Sequence, residues 1–368
     1  MKLLLQGNIA SHYRTPIYKL IDQELGCDYC FGDKWEDIKK LDYSSLQGNV
    51  TEVKNIFFPH GYYQKGFLNF LRRDYDTYII CAETRNISSW LFLIFRKLFY
   101  PHKRVFSWNH GMLGKEGVIK QFLYKLQYRL LTGAFIYNER SVRIMVSRGI
   151  PEKKLHTIYN SLNYDRQLII RQSLKQTGLF FDYFGNDNKN IVFIGRLTKV
   201  KRFELLLEAV GKLKEQGLFV NITFIGDGEE RESMEKRIED LGIKEQVWFH
   251  GACYNEFRNA ELLYNADLCV SPGNIGLTAI HSLMFGCPAI TNDDFNHQMP
   301  EFETIKEGVT GTFFKAYESE SLASSIRTWF SHHLDDRDEV RNACYHEIDT
   351  KWNPHNQIDI FTKVLLGQ

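Results

Sequence analysis

Short apolar runs alternate with amphipathic stretches along most of the chain. Period-3.6 patterns at residues 16–23, 117–131 and 203–216 predict helices, and short apolar runs between such stretches predict strands. The predicted strands are residues 2–5, 77–81, 105–108, 134–137, 155–159, 190–195, 220–226, 247–250, 268–271 and 289–292. Strands that alternate with helices favour parallel sheets with right-handed crossovers.

A polar, poorly periodic stretch at residues 171–189 divides this alternation into two series. We therefore expect an α/β protein with two Rossmann-like, doubly wound domains in tandem, the first over residues 1–170 and the second over residues 190–352. Residues 171–189 are expected to be a linker, and residues 353–368 a helix that crosses back to the first domain. Ligands of open parallel sheets bind where the strands end, so a cleft between the domains is the expected site.

Composition narrows the class of protein. The chain has 368 residues, of which 43% are hydrophobic and 25% charged, and its net charge is +1. These values are typical of a globular protein and argue against a general nucleic-acid binder. The charge is divided unevenly: residues 1–170 hold 25 Lys+Arg and 15 Asp+Glu, and the remainder holds 21 and 30. The two halves are therefore expected to meet different partners, or each other.

The seven cysteines suit a reduced cytosolic setting, since the count is odd and a chain of this size needs no disulfides. Cys27 and Cys30 form a C-x-x-C motif, which would fit a redox pair or half a zinc site, but no second pair follows at ligand spacing. The apolar run at residues 1–6 is too short for a signal peptide and predicts a first strand. No run approaches the length of about 20 apolar residues that spans a bilayer.

Two segments of the second half suit an anionic ligand. A strand ends at Gly195, and Arg196, Lys199, Lys201 and Arg202 follow it; a solvated basic turn before a helix would show the same residues. The second segment, residues 271–288, places a glycine-containing loop before a helix. The free N–H groups at such a helix start suit a phosphate. The predicted phosphate cradle is Asn274, Gly276, Leu277 and Thr278.

The ordered motifs of residues 190 to about 330 resemble those of family 4 glycosyltransferases. They are Gly195-Arg-Leu with Lys201, Phe224-Ile-Gly-Asp-Gly-Glu, Val247-Trp-Phe-His-Gly251, Ala266-Asp-Leu-Cys-Val-Ser-Pro, Ser282-Leu-Met-Phe-Gly-Cys-Pro, and Pro300-Glu with Gly308-Val-Thr-Gly311. The first half matches more loosely, through Trp108-Asn-His-Gly111 and Asn160-Ser-Leu-Asn163. The resemblance implies a GT-B architecture, with two Rossmann-like domains facing across a cleft. It also implies retaining transfer of a sugar from a nucleoside-diphosphate-sugar donor.

The resemblance also implies roles for individual residues. Arg196 and Lys201 match the basic pair that binds the donor diphosphate, and His110 matches a histidine near the donor sugar. These three are the expected catalytic residues. The nucleotide is expected at Gly195, Asp227, Gly228, His250, Gly251 and His281. A lone histidine is more often structural than functional, which is the alternative for both His110 and His281.

Two family glutamates are replaced in this chain. The family spaces them with seven residues between, the first near the donor sugar and the second at the ribose, and Gly273 and His281 occupy those places. A neutral histidine can make one hydrogen bond to a ribose hydroxyl but is not a bidentate anionic acceptor. The replacement puts the identity of the sugar in question, and it also leaves open an inactive relative.

The first half is expected to bind the acceptor. Asn8, His12 and Arg14 follow the first strand directly, where Arg14 would meet a phosphate or sugar; a helix-cap contact or a surface cation is the alternative. Residues 60–130 hold 12 Lys+Arg and 4 Asp+Glu interleaved with aromatic residues. Basic amphipathic helices of this kind dock on anionic bilayers, although packing on the first sheet also accounts for many of the aromatics.

The sequence therefore predicts a glycosyltransferase that extends a glycan, such as a polyprenyl-diphosphate-linked precursor of a surface polysaccharide. It is expected in the cytoplasm, peripheral at the inner face of the cell membrane. No Asp-x-Asp motif occurs and the Asp293-Asp294 pair suits a turn, so no metal or other cofactor is expected. The alternatives are a sugar-nucleotide epimerase of the same architecture and a non-catalytic sugar-nucleotide-binding relative.

Overall fold

The computed structural model describes residues 1–35, 39–333 and 336–367. It divides into two compact units. Unit 1 is Met1–Asn163 together with Asn353–Gln368, and unit 2 is Tyr164–Trp352. Each unit is built on one sheet of mainly parallel strands, which confirms the predicted α/β class.

Unit 1 has an eight-stranded sheet with the order β4-β3-β2-β1-β5-β6-β7-β8. Its strands are β1 (Leu3–Gly7), β2 (Cys27–Gly32), β3 (Val50–Phe58), β4 (Gly61–Lys65), β5 (Thr77–Ile80), β6 (Arg104–Asn109), β7 (Gly133–Ile136) and β8 (Leu155–Thr157). All neighbours are parallel except the β3–β4 hairpin. Cys27 and Cys30 lie within β2 as buried free thiols.

Helices cover both faces of this sheet. They are α1 (Thr15–Leu25), α2 (Ile87–Phe99), α3 (Val118–Leu130), α4 (Glu139–Ser147) and, from the end of the chain, α13 (Pro354–Leu366). One core joins α1 and α13 to the sheet through residues such as Ile17 and Phe361. The other core takes Phe92 of α2 and Tyr128 of α3. Residues 353–368, expected to cross back to the first domain, thus lie in unit 1.

Unit 2 has a six-stranded, fully parallel sheet with the order β11-β10-β9-β12-β13-β14. Its strands are β9 (Lys189–Ile194), β10 (Val220–Ile225), β11 (Val247–Phe249), β12 (Leu268–Ser271), β13 (Ala289–Asn292) and β14 (Gly311–Phe314). Its helices are α5 (Tyr164–Ser173), α6 (Leu179–Phe184), α7 (Phe203–Glu215), α8 (Arg231–Asp240), α9 (Glu256–Asn265), α10 (Leu277–Met284), α11 (Ser319–His332) and α12 (Arg337–Thr350).

The stretch expected to be a linker, residues 171–189, lies inside unit 2. The stretch contains α6, which its polar sequence did not predict. In this helix Phe180 is buried, and Tyr183 stacks on Trp248 with ring centroids 4.0 Å apart. Arg171, at the end of α5, pairs with Asp349 of α12 at 2.8 Å. These contacts tie the stretch to the unit, and the chain enters unit 2 at Tyr164.

Each sheet has one point where the strand order reverses. In unit 1 the chain fills one side from β1 to β4 and the other from β5 to β8, so the reversal lies between β1 and β5. In unit 2 it lies between β9 and β12. Crevices beside such reversals, at the carboxyl ends of the strands, are the usual ligand sites of open α/β sheets.

Candidate functional site

The loops after β9 and β12 join at the reversal point of unit 2. The Gly273 N–H donates to the Lys201 carbonyl oxygen at 2.8 Å, and the Asn274 N–H donates to the Val200 oxygen at 3.3 Å. The Lys201 ammonium group in turn donates to the carbonyl oxygens of Asn274 and, at 3.3 Å, Ile275. Two segments that are 73 residues apart in sequence therefore form one rigid edge.

The position of Lys201 lowers its pKa. Burial shifts the pKa from the ordinary 10.5 to about 8, and the nearby charge of Arg196 adds to the shift. Cys269 and the buried Glu301 oppose it. A lysine in this state is protonated at neutral pH, and it gains from any further negative charge placed beside it.

Arg196 completes a pair of cations at this edge. Its side chain is exposed, and within the described part of the chain no carboxylate forms an ion pair with it. Arg202 differs, because it pairs with Glu204 at 2.8 Å and lies over the Tyr317 ring at 4.7 Å. Arg196 lies near enough to Lys201 to lower its pKa, and Gly195 before it lies beside Thr278 of α10.

The α10 helix begins beside Lys201. Gly276 precedes it with φ 54° and ψ −145°, a conformation that favours glycine. The Thr278 hydroxyl donates to the Ile194 carbonyl at 2.8 Å, and the Asn274 amide donates to His297 O at 3.2 Å. These two side chains hold the loop, so the backbone N–H groups at the start of α10 are the donors that the cradle offers to an anion.

Gln298 braces the same loop and was not predicted from the sequence. Its side-chain oxygen accepts from Ile275 N–H at 3.0 Å, and its amide donates to Gly273 O at 3.0 Å and Thr291 Oγ1 at 3.0 Å. The side chain is 2% exposed. Because a buried amide with both ends bonded allows little movement, Gln298 fixes the shape of the loop.

Gly273 sits where no side chain fits. A Cβ atom there would overlap the Val200 carbonyl oxygen and lie 2.8 Å from Lys201 Cα. The family glutamate at this place is therefore incompatible with the path that the backbone takes here. The loop packs so closely against residues 200–201 that it leaves no room for a carboxylate side chain.

His281 faces a carboxylate of the same unit. Its Nε2 lies 2.9 Å from Glu256 Oε1, which also accepts from Gln167 Nε2 at 2.7 Å. Burial raises the pKa of the Glu256 carboxyl, but the bonds from His281 and Gln167 outweigh it and the pKa is lowered. The sequence gives no signal for Glu256, which comes from α9 and is 25 residues away. A glutamate at position 281 would instead repel Glu256.

The predicted nucleotide residues lie at the ends of neighbouring strands. Gly195 follows β9, Asp227 and Gly228 follow β10, and His250 and Gly251 follow β11. Leu197 N–H donates to Asp227 O at 2.9 Å, which joins the first two loops. A Cβ atom at Gly228 would overlap the Leu197 carbonyl, so the close approach requires glycine. Burial lowers the pKa of the His250 imidazole.

Unit 1 gathers aromatic and basic side chains at its own reversal point. The Arg14 guanidinium lies 4.8 Å from the Trp108 ring and donates to the hydroxyls of Tyr13, at 3.0 Å, and Tyr137. His12 is exposed in the same turn. Asn8 is joined to the strand edge, because its carbonyl accepts from Asn55 Nδ2 at 2.8 Å. These contacts fix the position of the Arg14 guanidinium. Nothing in the sequence indicated that Tyr137 lies beside it.

His110 lies at the end of β6 against Tyr137, with ring centroids 4.7 Å apart. Burial and the charge of Arg14 lower its pKa from 6.5 to about 4. Its Nδ1 is buried and has no hydrogen-bond partner among the described residues. His110 is therefore a neutral imidazole at physiological pH.

The Asp293-Asp294 pair is engaged in its own loop. Asp293 Oδ1 accepts from Ala316 N–H at 2.9 Å, and Asp294 Oδ2 accepts from the Tyr317 hydroxyl at 3.0 Å and lies 2.8 Å from His297 Nδ1. Across residues 1–35, 39–333 and 336–367, no cluster of three or more His, Cys, Asp or Glu side chains has the arrangement of a metal site.

Comparisons with known proteins show what the chain is similar to. Residues 180–347 match the family model of glycosyl transferases group 1. An uncharacterized glycosyltransferase of Methanocaldococcus jannaschii is 28% identical over 181 residues, which cover 48% of this chain and 45% of that protein. The N-acetylgalactosamine-N,N'-diacetylbacillosaminyl-diphospho-undecaprenol 4-alpha-N-acetylgalactosaminyltransferase of Campylobacter jejuni is 24% identical over 225 residues, or 60% of this chain and 55% of that one. The chain thus aligns with about half the length of these curated relatives.

The crystal structure of Anabaena HepE in complex with UDP superposes over 100% of both chains, with a TM-score of 0.73 and 14% identity. The fold is that of the GT-B glycosyltransferases. This confirms the architecture that the motifs implied, and the family model and the relatives support a glycosyltransferase.

The match to the group 1 model covers most of unit 2, which holds Arg196, Lys201 and the start of α10. It does not extend to unit 1, although the alignment with the Campylobacter jejuni relative covers 225 residues and is therefore longer than unit 2. In the described part of this GT-B chain, no helix combines the length and the apolar character that crossing a membrane needs.

Proposed function

We propose that the protein is a retaining, metal-independent glycosyltransferase that moves a hexose-type sugar from a nucleoside-diphosphate-sugar donor to a glycan acceptor. One observation carries the proposal. At the reversal point of unit 2, the ammonium group of Lys201 and the exposed guanidinium of Arg196 lie with the free N–H groups that begin α10. Cations and a helix N-terminus at one edge suit a diphosphate.

In this proposal the donor diphosphate binds at Arg196, Lys201 and the N–H groups of Gly276, Leu277 and Thr278, with Asn274 shaping the loop. The nucleotide lies along Gly195, Asp227-Gly228 and His250-Gly251. His281, supported by Glu256, offers one hydrogen bond to a ribose hydroxyl. The UDP complex of HepE supports a nucleoside diphosphate as part of the donor.

The reaction breaks the bond between the anomeric carbon and the diphosphate oxygen, and it forms a bond from that carbon to an acceptor hydroxyl oxygen. Charge develops on the departing diphosphate, where Arg196 and Lys201 stabilise it without a metal ion. The acceptor hydroxyl attacks from the same face through an oxocarbenium-like state and gives its proton to the departing phosphate. The configuration at the anomeric carbon is thereby retained.

His110 positions the donor sugar. Because its pKa is about 4, it acts as a neutral hydrogen-bonding group and not as an imidazolium acid.

The acceptor meets unit 1 at Asn8, His12 and Arg14. We propose a lipid-linked glycan as this acceptor, with a cytoplasmic, peripheral location at the inner face of the membrane. The Campylobacter jejuni relative, whose name describes a diphospho-undecaprenol acceptor, supports this choice, and the basic, aromatic composition of residues 60–130 supports an anionic membrane as a partner.

The test is a panel of nucleotide sugars, with release of nucleoside diphosphate as the measurement. Arg196→Ala and Lys201→Ala are each expected to reduce turnover by about 100-fold or more, as loss of one charge-stabilising group does. Lys236→Ala removes an exposed lysine of α8 and is the matched control. Unchanged turnover in both site variants would remove the diphosphate assignment.

The same panel separates the alternatives. Isomerised donor without acceptor-dependent release of nucleoside diphosphate would indicate an epimerase. Nucleotide binding without any turnover would indicate a non-catalytic relative, an outcome that the absence of glutamate at positions 273 and 281 makes worth testing. Nuclear magnetic resonance of the product distinguishes retention from inversion.

A further inference from the structure

Helices α2 and α3 of unit 1 carry apolar side chains that face solvent. In α2, Ile87, Ile94 and Leu98 follow the spacing i, i+7 and i+11, and they are 42%, 40% and 66% exposed. In α3, Val118 and Phe122 lie one turn apart and are 83% and 61% exposed. Apolar residues at this spacing normally face a core, so these stripes lack a partner in the described chain.

The two stripes point away from the same side of the sheet. Both helices pack on the same face of the sheet, where Phe92 of α2 and Tyr128 of α3 share a core. Their opposite sides therefore point away from that core together. We call the surface formed by Ile94, Leu98, Phe99, Val118, Ile119 and Phe122 the α2–α3 face.

Cations accompany this surface, and acids are nearly absent from it. Lys97, Lys120 and Arg129 are exposed and Lys125 is half-buried, and none of the four is in an ion pair with a described residue. Glu116 is the one acid between residues 84 and 130. It is buried, and its carboxylate accepts from the Leu113 and Gly114 N–H groups at 2.8 and 2.9 Å.

The rest of the basic, aromatic region is different. Tyr62, Phe67, Phe70 and Leu71 are at most 3% exposed and belong to the core. The structure therefore separates residues 60–73, whose aromatics pack inside, from the two helices whose apolar residues remain outside.

We propose that the α2–α3 face docks on an anionic lipid bilayer, with its apolar side chains in the headgroup region and its lysines and arginine on the acidic lipids. An exposed apolar stripe with unpaired cations on a two-helix layer has the chemistry of an interfacial helix pair. A protein partner of mixed charge would leave these cations unmatched. The inference rests on unit 1 alone, and it gives the lipid-linked acceptor of the proposed function a place of entry.

The α3 part of this surface lies beside the site edge. Both helices begin after strands whose carboxyl ends form the reversal edge of unit 1, and α3 follows the loop of His110. Val118 and Phe122 lie in the first turns of α3, whereas Ile94, Leu98 and Phe99 lie in the second half of α2, toward the opposite edge of the sheet. Docking through the α2–α3 face therefore brings the start of α3 near the edge that holds Arg14 and His110.

The experiment is vesicle flotation of the full chain, with phosphatidylcholine vesicles and with vesicles that also contain phosphatidylglycerol. We expect recovery with the anionic vesicles. The double variant Leu98→Ser/Phe122→Ser is expected to bind them about tenfold more weakly or worse. Lys120→Gln/Lys125→Gln should show a similar loss that high salt also produces in the parent protein.

The control is Ile169→Ser/Tyr254→Ser, which changes two exposed apolar residues of unit 2 that are 71% and 97% exposed. Equal flotation of the face variants and the parent, or an equal loss in the control, overturns the proposal. Light scattering without lipid adds a further test: a dimer that the face variants abolish would assign this surface to a second copy of the chain instead.

Release of nucleoside diphosphate with a water-soluble acceptor, measured without vesicles, separates this inference from the proposed function. The face variants should retain the parent rate there. Normal flotation with no turnover would remove the proposed function and leave the membrane surface standing.

Discussion

Lys201 holds its charge in a setting that disfavours it. Its ammonium group is largely buried, is bonded to two carbonyl oxygens and lies near a second cation. Burial of the charged form lowers the pKa, and a diphosphate beside the amine would raise it again. The pH dependence of nucleotide binding therefore reports on this residue directly.

We predict that nucleoside diphosphate affinity falls as the pH rises through about 8, the pKa of Lys201, by up to about tenfold per pH unit. Titration calorimetry between pH 7 and pH 10 measures it. In Lys201→Arg the guanidinium stays charged throughout this range, so the fall should disappear. A similar fall in the variant would assign the titration to another group.

The lowered pKa of Lys201 also determines how the contribution of this residue to the free energy of unfolding changes with pH. Between about 8 and 10.5 the unfolded chain keeps the Lys201 proton that the folded chain has released. The unfolded state then binds more protons, so the contribution of this residue to the free energy of unfolding rises with pH across that range.

Gly273 is the second residue whose environment makes a clear prediction. Gly273→Glu restores the family glutamate, yet its Cβ would overlap the Val200 carbonyl and displace the 2.8 Å bond from Gly273 N–H to Lys201 O. We expect the free energy of unfolding to fall by about 2–4 kcal/mol, with loss of nucleotide binding. Chemical denaturation measures the first effect.

Gly117→Ala is the control for this change, because nothing lies within 4 Å of a Cβ atom there and the residue has an ordinary extended conformation. A Gly273→Glu protein as stable as the parent would show that the loop takes another path when a carboxylate is present.

At the scale of elements, helix α13 shows how the end of the chain stabilises the beginning. Phe361 is fully buried, with its ring centroid 5.1 Å from that of Trp108 and 4.5 Å from that of Phe135. The side chain thus packs on β6 and β7, more than 220 residues earlier. Such a helix contributes to unit 1 through packing rather than through its own propensity.

We predict that Phe361→Ala lowers the free energy of unfolding of unit 1 by about 3–5 kcal/mol, the usual effect of emptying a buried aromatic site. Lys363→Ala, an exposed change on the same helix, should stay within about 0.5 kcal/mol. Urea denaturation followed by tryptophan fluorescence is the measurement. A small effect at Phe361 would show that the core closes without α13.

The elements predicted from the sequence are those whose pattern is local. Strands such as β5 and β12 are buried on both faces, so they read as nearly continuous apolar runs. Strand β3 was missed because its polar and charged residues interrupt the pattern, and β4 because it pairs with β3 only as an antiparallel hairpin at the edge. Strand β2 was not predicted, because its Cys27 and Cys30 suggested a redox or metal motif rather than a strand.

The whole molecule shows the same division between local and distant signals. The loops of Gly195, Lys201 and Asn274 were predicted, because glycine and basic residues after a strand mark a ligand edge. Gln298 and Glu256 were not, because they reach the site from segments that only the fold brings near. The near-zero net charge, likewise, is the sum of a basic half, where the α2–α3 face lies, and an acidic half, whose Arg196 and Lys201 lie at the site edge.

The return of the chain to unit 1 has a consequence for how unit 2 is joined to it. The chain leaves unit 1 after Asn163 and re-enters it at Asn353, and these two crossings are adjacent, since Ser161 Oγ donates to Gln357 Oε1 at 2.6 Å and Gln357 Nε2 donates to Tyr159 O at 3.0 Å. Unit 2 is thus a cassette inserted at one place in a host domain. Because its two junctions lie together, unit 2 can be replaced as one piece without breaking the core of unit 1.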